Sequence, residues 1–243
     1  MKIAFVADIH GNLPALEAVE RDIASCMAEQ VYCLGDVVGY GAEPLECIAH
    51  IRERGWQTLL GNHEAAIIEP AYAEAFNPYA RAALLFSMGA IGKEGRAWLR
   101  TLPLTIETDT FQLSHGWSHG ARRFQYVLSE QDVGNIFTES TRPLVFMGHG
   151  HYHALFSRLA GQSAITYTRE SGQSISEGAN AVINVGSVGQ PRDNDPHACW
   201  VLYDERARTV DFRRVAYDAA EAARRIRDAG LPQKLADRLL EGH

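Results

Sequence analysis

The sequence has 243 residues, 46% of them hydrophobic and 22% charged, with no biased tract, which excludes a disordered or fibrous chain. Its formal net charge of -7 and pI near 5.8 argue against the broad basic surface that a binder of duplex DNA or RNA needs. Every apolar run falls short of the roughly 18 residues that span a bilayer, so we expect no membrane partner.

The cysteines and the N-terminus indicate the cell compartment. The four cysteines show neither CxxC pairs nor the dense spacing of a secreted disulfide framework, so we expect a reducing, cytoplasmic location. The apolar run at the N-terminus is too short for a signal peptide and has no small-residue cleavage site. The closing residues 241–243 could be the remnant of an expression tag, and we leave them out of the fold prediction.

The first predicted unit is a strand, a loop and a helix. Residues 2–7 are almost continuously apolar, which is typical of a parallel strand buried on both faces. Asp8 and His10 follow at its C-terminal end. Apolar residues then recur at helical spacing over 13–28, with Pro14 near the helix start.

The same pattern repeats twice. Residues 31–34 predict a second strand that ends just before Asp36, and a helix is predicted over 44–51. Residues 56–60 predict a third strand, which leads into Gly-Asn-His-Glu at 61–64. Open α/β sheets place their sites at such strand ends, and right-handed crossovers would leave all three ends on one edge of the sheet.

The remaining chain is predicted to be helical first and strand-rich afterwards. Residues 64–101 look helical and would form a cap or flank beside the site. Further apolar runs that end in His, Gly or Ser occupy 110–116, 143–151 and 182–189, and residues 199–204 and 209–215 predict a terminal hairpin. Since no repeat or linker divides the chain, we predict a single domain over residues 1–240.

The residues at the strand ends form a mixture that divalent transition metals prefer. They are Asp8, His10, Asp36, Asn62, His63, Glu64, His115, His149 and His151. Imidazole and carboxylate suit Mn, Fe, Ni or Zn, whereas the lack of cysteine argues against structural zinc and the many histidines against Mg or Ca. Each fragment alone is weak evidence, but five in this order, each closing a predicted strand, indicate a metal site.

A structural alternative exists for each fragment. Asp8 and Asp36 could cap helices, Asn62 could be a turn residue, and the glycines of the tract 148–151 could matter more than its histidines. Five independent caps, however, would have no reason to supply complementary metal ligands. The other histidines in the body of the chain are interpreted as solvated or structural; they are His50, His119, His153 and His197.

These motifs resemble those of the calcineurin-like metallophosphoesterase superfamily. The matching fragments are Asp8-x-His10, Gly35-Asp36, Gly61-Asn62-His63-Glu64, His115-Gly116 and Gly148-His149-x-His151. They span most of the first 151 residues. One departure is Gly150, where threonine is frequent, but that position supplies no ligand. The resemblance implies an α/β fold, a four-layer α-β-β-α sandwich with two central mixed β-sheets.

The resemblance also implies a dinuclear site with two divalent transition metal ions, Mn first and Fe, Ni or Zn as alternatives. Asp8, His10, Asp36 and His151 would hold one ion, and Asp36, Asn62, His115 and His149 the other. Asp36 would then bridge the ions, and His63 would face the substrate without being a ligand. Asp36 and His63 are the implied catalytic residues.

Charge explains why such a site suits a phosphoryl group. Two divalent ions outweigh the two ligand carboxylates by about two positive charges, and neutral histidine and asparagine ligands leave that excess unchanged. Paired ions can also lower the pKa of a bridging water and polarise the phosphoryl oxygens, so metal-bound hydroxide would be the nucleophile. His63 could stabilise the oxyanion or protonate the leaving oxygen.

Two further stretches suggest the substrate. Residues 35–44 and 183–193 resemble a bacterial and archaeal branch of the superfamily that includes diadenosine-polyphosphate hydrolases and generic phosphodiesterases. Arg192 is the candidate phosphate clamp, with an ion pair to Asp193 or Asp195 as the alternative. The stretch 119–126, HGARRFQY, combines charge with rings that could stack on a base, or could be half core and half surface.

We therefore expect an enzyme that hydrolyses a phosphodiester, pyrophosphate or phosphomonoester bond of a small phosphorylated metabolite or nucleotide. Asn62, His63 and Arg192 would contact that substrate. The alternatives are a protein serine/threonine phosphatase and a non-catalytic metal-binding scaffold of the same fold. A scaffold would have no reason to keep every ligand position filled, and a stable nucleic-acid partner is not expected.

Overall fold

Two mixed β-sheets of six strands pack face to face in the computed structural model, which describes residues 1–120 and 123–243. Across the first sheet the strands are β3 (Gln57–Thr58), β2 (Gln30–Cys33), β1 (Lys2–Val6), β11 (Ala198–Asp204), β12 (Thr209–Val215) and β9 (Gln173–Ser174). Across the second they are β4 (Thr105–Glu107), β5 (Phe111–Ser114), β6 (Leu144–Met147), β10 (Asn180–Val185), β7 (His153–Arg158) and β8 (Thr166–Thr168).

Helices surround the two sheets. They are α1 (Leu13–Ser25), α2 (Pro44–Arg54), α3 (Asn62–Ile68), a 3₁₀ helix (Pro70–Ala75), α4 (Pro78–Ala90), α5 (Gly92–Leu99), α6 (Glu130–Glu139), α7 (Ala219–Asp228) and α8 (Gln233–Glu241). Helices α1 and α2 pack on the outer face of the first sheet, and α6 packs on the outer face of the second. The predicted four-layer sandwich is confirmed.

Strand β1 shows how the sequence builds these layers. Successive side chains of a strand point to opposite faces, so a strand buried on both sides must be apolar throughout. Ile3 and Phe5 face the second sheet, where Phe5 stacks on Phe146 with ring centroids 3.9 Å apart. Ala4 and Val6 face the helices instead. Burying each large apolar side chain in this way stabilises the fold by roughly 1.5–3 kcal/mol.

The strand directions bring the predicted junctions together. Strands β1, β2 and β3 are parallel within the first sheet, and β5, β6 and β10 are parallel within the second. Their C-terminal ends therefore open onto one end of the sandwich, as the sequence predicts.

Element boundaries differ from the predictions by a few residues at several places; the helix predicted over 44–51, for instance, extends to Arg54. The helix predicted over 13–28 ends at Ser25, and the strand predicted over 56–60 is reduced to β3. After β3 the N–H of Leu59 still donates to the carbonyl of Cys33 at 2.9 Å, and the N–H of Leu60 donates to the carbonyl of Pro103 at 2.8 Å. No helix formed by the described residues, 1–120 and 123–243, has the length and apolarity to cross a membrane.

Candidate metal centre

The first group of candidate ligands lies at the ends of β1, β2 and β6. Asp8, His10, Asp36 and His151 are all buried, and each contributes one donor atom to a set whose members lie within 4.8 Å of one another. The Asp8 Oδ1 atom is 3.4 Å from His151 Nε2, and Asp36 Oδ2 is 3.7 Å from His10 Nε2. Two carboxylates and two imidazoles thus converge on one point.

Backbone hydrogen bonds fix which ring nitrogen each histidine presents. Nδ1 of His10 donates to the carbonyl of Val38 at 2.9 Å, and Nδ1 of His151 donates to the carbonyl of Gln190 at 2.6 Å. The two Nε2 atoms, 3.2 Å apart, therefore face each other with lone pairs. A cation between them removes this repulsion, so the donor set fits a divalent metal.

The second group shares Asp36 with the first. Asp36, His115 and His149 are buried and form a set with donor atoms within 4.8 Å. Nε2 of His115 lies 3.2 Å from Asp36 Oδ2 and 3.0 Å from Asn62 Oδ1, while its Nδ1 donates to the carbonyl of Leu34 at 2.7 Å. All seven predicted ligands thus lie at one site, in two groups joined by Asp36.

The buried charges influence one another. Burial would raise the pKa of Asp36, but His115 and His63 outweigh that effect and hold it well below its usual range. Burial lowers the pKa of His115, yet Asp36 and Asp8 outweigh it and raise that pKa to about 9. Burial raises the pKa of Asp8 to about 7 and lowers that of His149 to about 3. Without a metal, the centre therefore holds a proton on His115.

The ligand-bearing loops have an unusual backbone. Five of the seven candidate ligands have φ between 49° and 68°, the left-handed region that residues other than glycine seldom adopt: Asp8, His10, Asp36, His149 and His151. Such residues cost of order 1–3 kcal/mol each and cluster at functional sites. The sharp turns let two side chains of one short loop point into the same centre.

His63 lies beside the second group but is not part of it. It follows Asn62 in the first turn of α3, and its Nε2 is 4.0 Å from Asp36 Oδ2. Its Nδ1 is buried without a hydrogen-bond partner. The chain leaves room for the ring at Gly39, which has φ of 90° and where a Cβ would overlap His63 Nδ1. Burial lowers the pKa of His63 to about 4, so the ring is neutral at pH 7.

Glu64 is the site residue to which the sequence assigns no role. Its buried carboxylate accepts hydrogen bonds from the backbone N–H groups of Asp36, Val38 and Gly61 at 2.8, 3.1 and 2.9 Å. One side chain thereby holds two ligand-bearing loops. Its place three residues after Gly61, as in a capping box, is the sequence signal that could have identified it.

A cleft opens onto the metal groups, with about 390 Å³ of unfilled space in it and in the open solvent at its mouth. Arg192 lines it, with Nη2 donating to Gln190 Oε1 at 2.8 Å and the guanidinium lying over the ring of Tyr40. Neither predicted ion pair forms: Asp193 binds Arg169, Arg214 and His153, and Asp195 binds His197 and Arg214. Arg192 is therefore available to an anion in the cleft.

The aromatic stretch 119–126 divides between core and cleft. Phe124 is buried against Tyr72, whereas Tyr126 lines the cleft and stacks on His149 with ring centroids 3.8 Å apart. Arg122 lies outside the described residues. His119 is exposed beside Trp117 and belongs to neither donor group.

The predicted flank at 64–101 supplies another wall of the cleft, through Phe76 and Asn77 between the 3₁₀ helix and α4. Phe76 packs 4.7 Å from the ring of His63, measured between centroids. The cleft is therefore narrow and aromatic on one side and cationic on another.

Comparison with known proteins places this site in a family. Residues 1–207 match the family model described as the calcineurin-like phosphoesterase superfamily domain. An uncharacterized protein of Methanocaldococcus jannaschii is 33% identical over 244 residues, with 99% of this chain and 98% of that protein covered. A symmetrical bis(5'-nucleosyl)-tetraphosphatase of Haemophilus influenzae is 30% identical over 163 residues, with 65% of this chain and 56% of that enzyme covered.

Solved structures agree with this comparison. The crystal structure of a metallophosphoesterase from Sphaerobacter thermophilus superposes with a TM-score of 0.84 and 32% identity, covering all of this chain and 99% of that one. A hypothetical protein from Pyrococcus horikoshii superposes with a TM-score of 0.81 at 21% identity, covering all of this chain and 98% of that one. The second match concerns the fold alone.

Proposed function

Since this chain belongs to the calcineurin-like phosphoesterase superfamily, we propose that it hydrolyses a phosphodiester or pyrophosphate bond of a small phosphorylated metabolite or nucleotide at a dinuclear metal centre. The observation that carries the proposal is the pair of buried donor groups that share Asp36 at the floor of one cleft. Asp8, His10, Asp36 and His151 would hold one ion, and Asp36, Asn62, His115 and His149 the other.

When bound, such ions supply Lewis acidity and an activated water. The donor set favours Mn, Fe, Ni or Zn, because all the donors are imidazole nitrogens and carboxylate or amide oxygens. We expect Mn first. The two ligand carboxylates would offset about half of the positive charge of the ions and the neutral histidines none, and the excess that remains favours an anionic substrate.

The chain's own residues position the phosphoryl group and its leaving oxygen. Arg192 presents its guanidinium to the cleft and can pair with two phosphate oxygens. His63, whose Nε2 lies 4.0 Å from Asp36 Oδ2, can hydrogen-bond to the leaving oxygen or to the oxyanion. Phe76 and Tyr126 shield the reacting centre and offer ring faces to an organic group.

Two observations support a small substrate with an ester or anhydride link between two groups. The cleft is walled by Phe76 and Tyr126, which suits a small molecule better than the shallow exposed groove that a protein phosphatase needs. One relative is named for hydrolysis of bis(5'-nucleosyl) tetraphosphates, molecules of this kind. A non-catalytic scaffold would not need His63 and Arg192 beside a complete ligand set.

The test is a substrate panel on protein loaded with Mn²⁺ and on protein freed of metal by a chelator. The panel contains bis-p-nitrophenyl phosphate, p-nitrophenyl phosphate, a dinucleoside tetraphosphate and a phosphoserine peptide. We expect metal-dependent turnover of the diester or the tetraphosphate and little of the peptide. Turnover by metal-free protein, or preference for the peptide, would contradict the proposal.

A further inference from the structure

A second cavity, the side pocket, adjoins the metal cleft, and Tyr126 lines both. The side pocket lies between helix α6 and the segment 117–127. Its apolar lining comes from Trp117, Val127 and Ile136, and its polar lining from Gln125, Asp132 and Asn135. An organic group attached to a phosphate in the metal cleft therefore has the side pocket next to it.

Tyr126 presents an aromatic ring where the two cavities meet. One face of the ring stacks on the candidate ligand His149, with centroids 3.8 Å apart and planes at 22°. Among the residues that the structure describes, no other ring stacks on Tyr126, and 49% of this residue is exposed. A half-exposed tyrosine at this junction offers a surface on which a planar ligand can stack.

The backbone holds this ring in a fixed place. Trp117 and Gln125 exchange two backbone hydrogen bonds, of 3.0 and 2.8 Å, and Tyr126 follows Gln125 directly. The indole Nε1 of Trp117 donates to Glu139 Oε2 at 2.7 Å, which ties the same segment to the end of α6. Trp117 also follows the candidate ligand His115 closely in the chain, so the side pocket is built onto the metal centre. Such pre-organisation lowers the cost of ordering protein groups when a ligand binds.

Asn135 supplies hydrogen-bond donors to the side pocket. Its Oδ1 accepts a hydrogen bond from Gln131 Nε2 at 3.1 Å, which directs the amide N–H groups away from Gln131. Those N–H groups have no partner in the part of the chain that the structure describes. An amide N–H donor suits a carbonyl oxygen or a ring nitrogen of a ligand.

The charge of the side pocket disfavours a second phosphate. Asp132 lines it, with Oδ2 accepting from the N–H of Leu128 at 2.9 Å and from the hydroxyl of Ser129 at 2.8 Å. No lysine or arginine is found among the described residues of the lining. An anion would therefore meet a carboxylate without a cation, whereas a neutral group would not be repelled.

We propose that the side pocket binds the nucleobase of the substrate, with Tyr126 as the stacking surface and Asn135 as a hydrogen-bond donor to the base. A base is planar and uncharged and carries carbonyl or ring-nitrogen acceptors, and every base has a π-face that can stack on an aromatic ring. The substrate class is then a nucleotide diester or anhydride rather than a phosphorylated sugar. This inference rests on the proposed function, since it names the organic part of the same substrate.

Ligand binding to Mn²⁺-loaded protein, measured by calorimetry, tests the side pocket by a readout other than activity. The ligands are thymidine 5'-phosphate, 2'-deoxyadenosine 5'-phosphate and 1-O-methyl-2-deoxyribose 5-phosphate. All three carry the same phosphate and sugar, and the third has no base. We expect the two nucleotides to bind about tenfold more tightly than the base-free phosphate, which is the size of one base–aromatic stack.

Two variants remove the proposed contacts separately. Tyr126→Ala should raise Kd for the nucleotides about tenfold and leave Kd for the base-free phosphate near its wild-type value, whereas Tyr126→Phe keeps the ring and should keep the difference. Asn135→Ala should raise Kd for the nucleotides about threefold, the effect of one lost hydrogen bond. Asn135 belongs to neither donor group, so its variant decides the test if Tyr126→Ala loses metal.

Tyr79→Ala is the matched control, because it removes another partly exposed tyrosine that lines neither the metal cleft nor the side pocket. It should change none of the three Kd values. Equal Kd values for the three ligands in the wild type, or equal effects of Asn135→Ala on all three, would overturn the base subsite and leave the phosphoesterase proposal standing. Failure of metal-loaded wild type to bind any of the three would instead contradict phosphate binding at the metal centre, and with it both the proposed function and this inference.

Discussion

At the scale of single residues, Asp36 is the side chain that both donor groups share. Asp36→Asn keeps the shape but removes the charge, and an amide cannot supply the anion that two cations require between them. We expect the variant to lose at least one metal ion per chain and activity to fall by two orders of magnitude or more. Metal content by plasma mass spectrometry, measured beside kcat, checks this.

Asp193→Asn is the matched control for Asp36→Asn, because Asp193 is also buried and paired but belongs to the cluster around Arg214. It should retain two metals. If Asp36→Asn kept both ions at wild-type occupancy, the bridging assignment would be wrong.

His63 lies in the cleft and outside both donor groups, so chemistry and metal binding can be separated there. His63→Ala should keep both metals and lower kcat by about 10²–10⁴-fold on a substrate with a poor leaving group. On a p-nitrophenyl ester, whose leaving group needs no proton, the loss should be smaller if the ring acts as an acid.

The measurement for His63→Ala is kcat on both substrates beside metal content. An equal loss on the two substrates would point to oxyanion stabilisation instead. Unchanged kcat on both, with metals intact, would remove His63 from the mechanism.

At the scale of elements, Glu64 links the loop after β2 to the start of α3. Its carboxylate accepts three backbone N–H bonds, and glutamine offers one acceptor oxygen and an NH₂ group that would face an N–H donor. Glu64→Gln should therefore lower the free energy of unfolding by about 1–3 kcal/mol, the cost of a buried unsatisfied donor. It should also weaken metal binding, because both loops carry ligands.

Thermal melting and metal titration of Glu64→Gln check this prediction. Glu69→Gln, an exposed change at the end of the same helix, is the control and should leave both measurements near the wild-type values. A Glu64→Gln protein with wild-type melting and metal affinity would show that the loops hold their shape without the carboxylate.

The strands that carry ligands at their C-terminal ends could be predicted from sequence, because each strand is an apolar run. Strand β1 illustrates this, since its pattern alone indicates its place in the centre of a sheet. Strands β8 and β9 could not be predicted in this way. They are three and two residues long and carry exposed side chains, and each pairs only at the edge of a sheet, β8 with the preceding β7 and β9 with the distant β12.

The helices after residue 128 were also not predicted. Helix α7 buries Ala222, Ala223 and Ile226, which recur at helical spacing, so the sequence did carry a signal for this helix. The left-handed backbone of the ligand loops and the aromatic wall formed by Phe76 and Tyr126 arise from tertiary contacts, which periodicity does not encode.

At the scale of the whole molecule, the candidate metal centre draws its residues from both sheets. Asp8 and Asp36 follow strands of the first sheet, whereas His115 and His149 follow strands of the second. The complete donor set therefore exists only when the sheets are packed together. Metal binding must then stabilise the fold, by an amount that grows with the ratio of metal concentration to Kd.

The direction of the pH dependence follows from His115. In the metal-free protein its pKa is raised to about 9, so its proton stabilises the fold fully below the unfolded value of 6.5 and that contribution is lost as pH rises through 9. A metal ligand must be neutral, so binding expels this proton. Metal affinity should consequently rise with pH, and Asp8, with a pKa of about 7, adds to the rise in the same direction.

We therefore expect Mn²⁺ to raise the melting temperature more at pH 8 than at pH 6. Displacing one proton changes affinity about tenfold per pH unit, which over two units is roughly 2.7 kcal/mol, or on the order of 5–10 °C for a chain of this size. The measurement is the difference in melting temperature between Mn²⁺ and chelator at each pH, so that other titrating groups cancel. Calorimetry in two buffers of different ionisation enthalpy should also detect the released proton at pH 7. An increase in melting temperature that is equal at both pH values, with no proton released, would mean that His115 is neutral before the metal binds. Asp36 and Asp8 would then not raise its pKa as described above, because they would carry less negative charge in the metal-free protein.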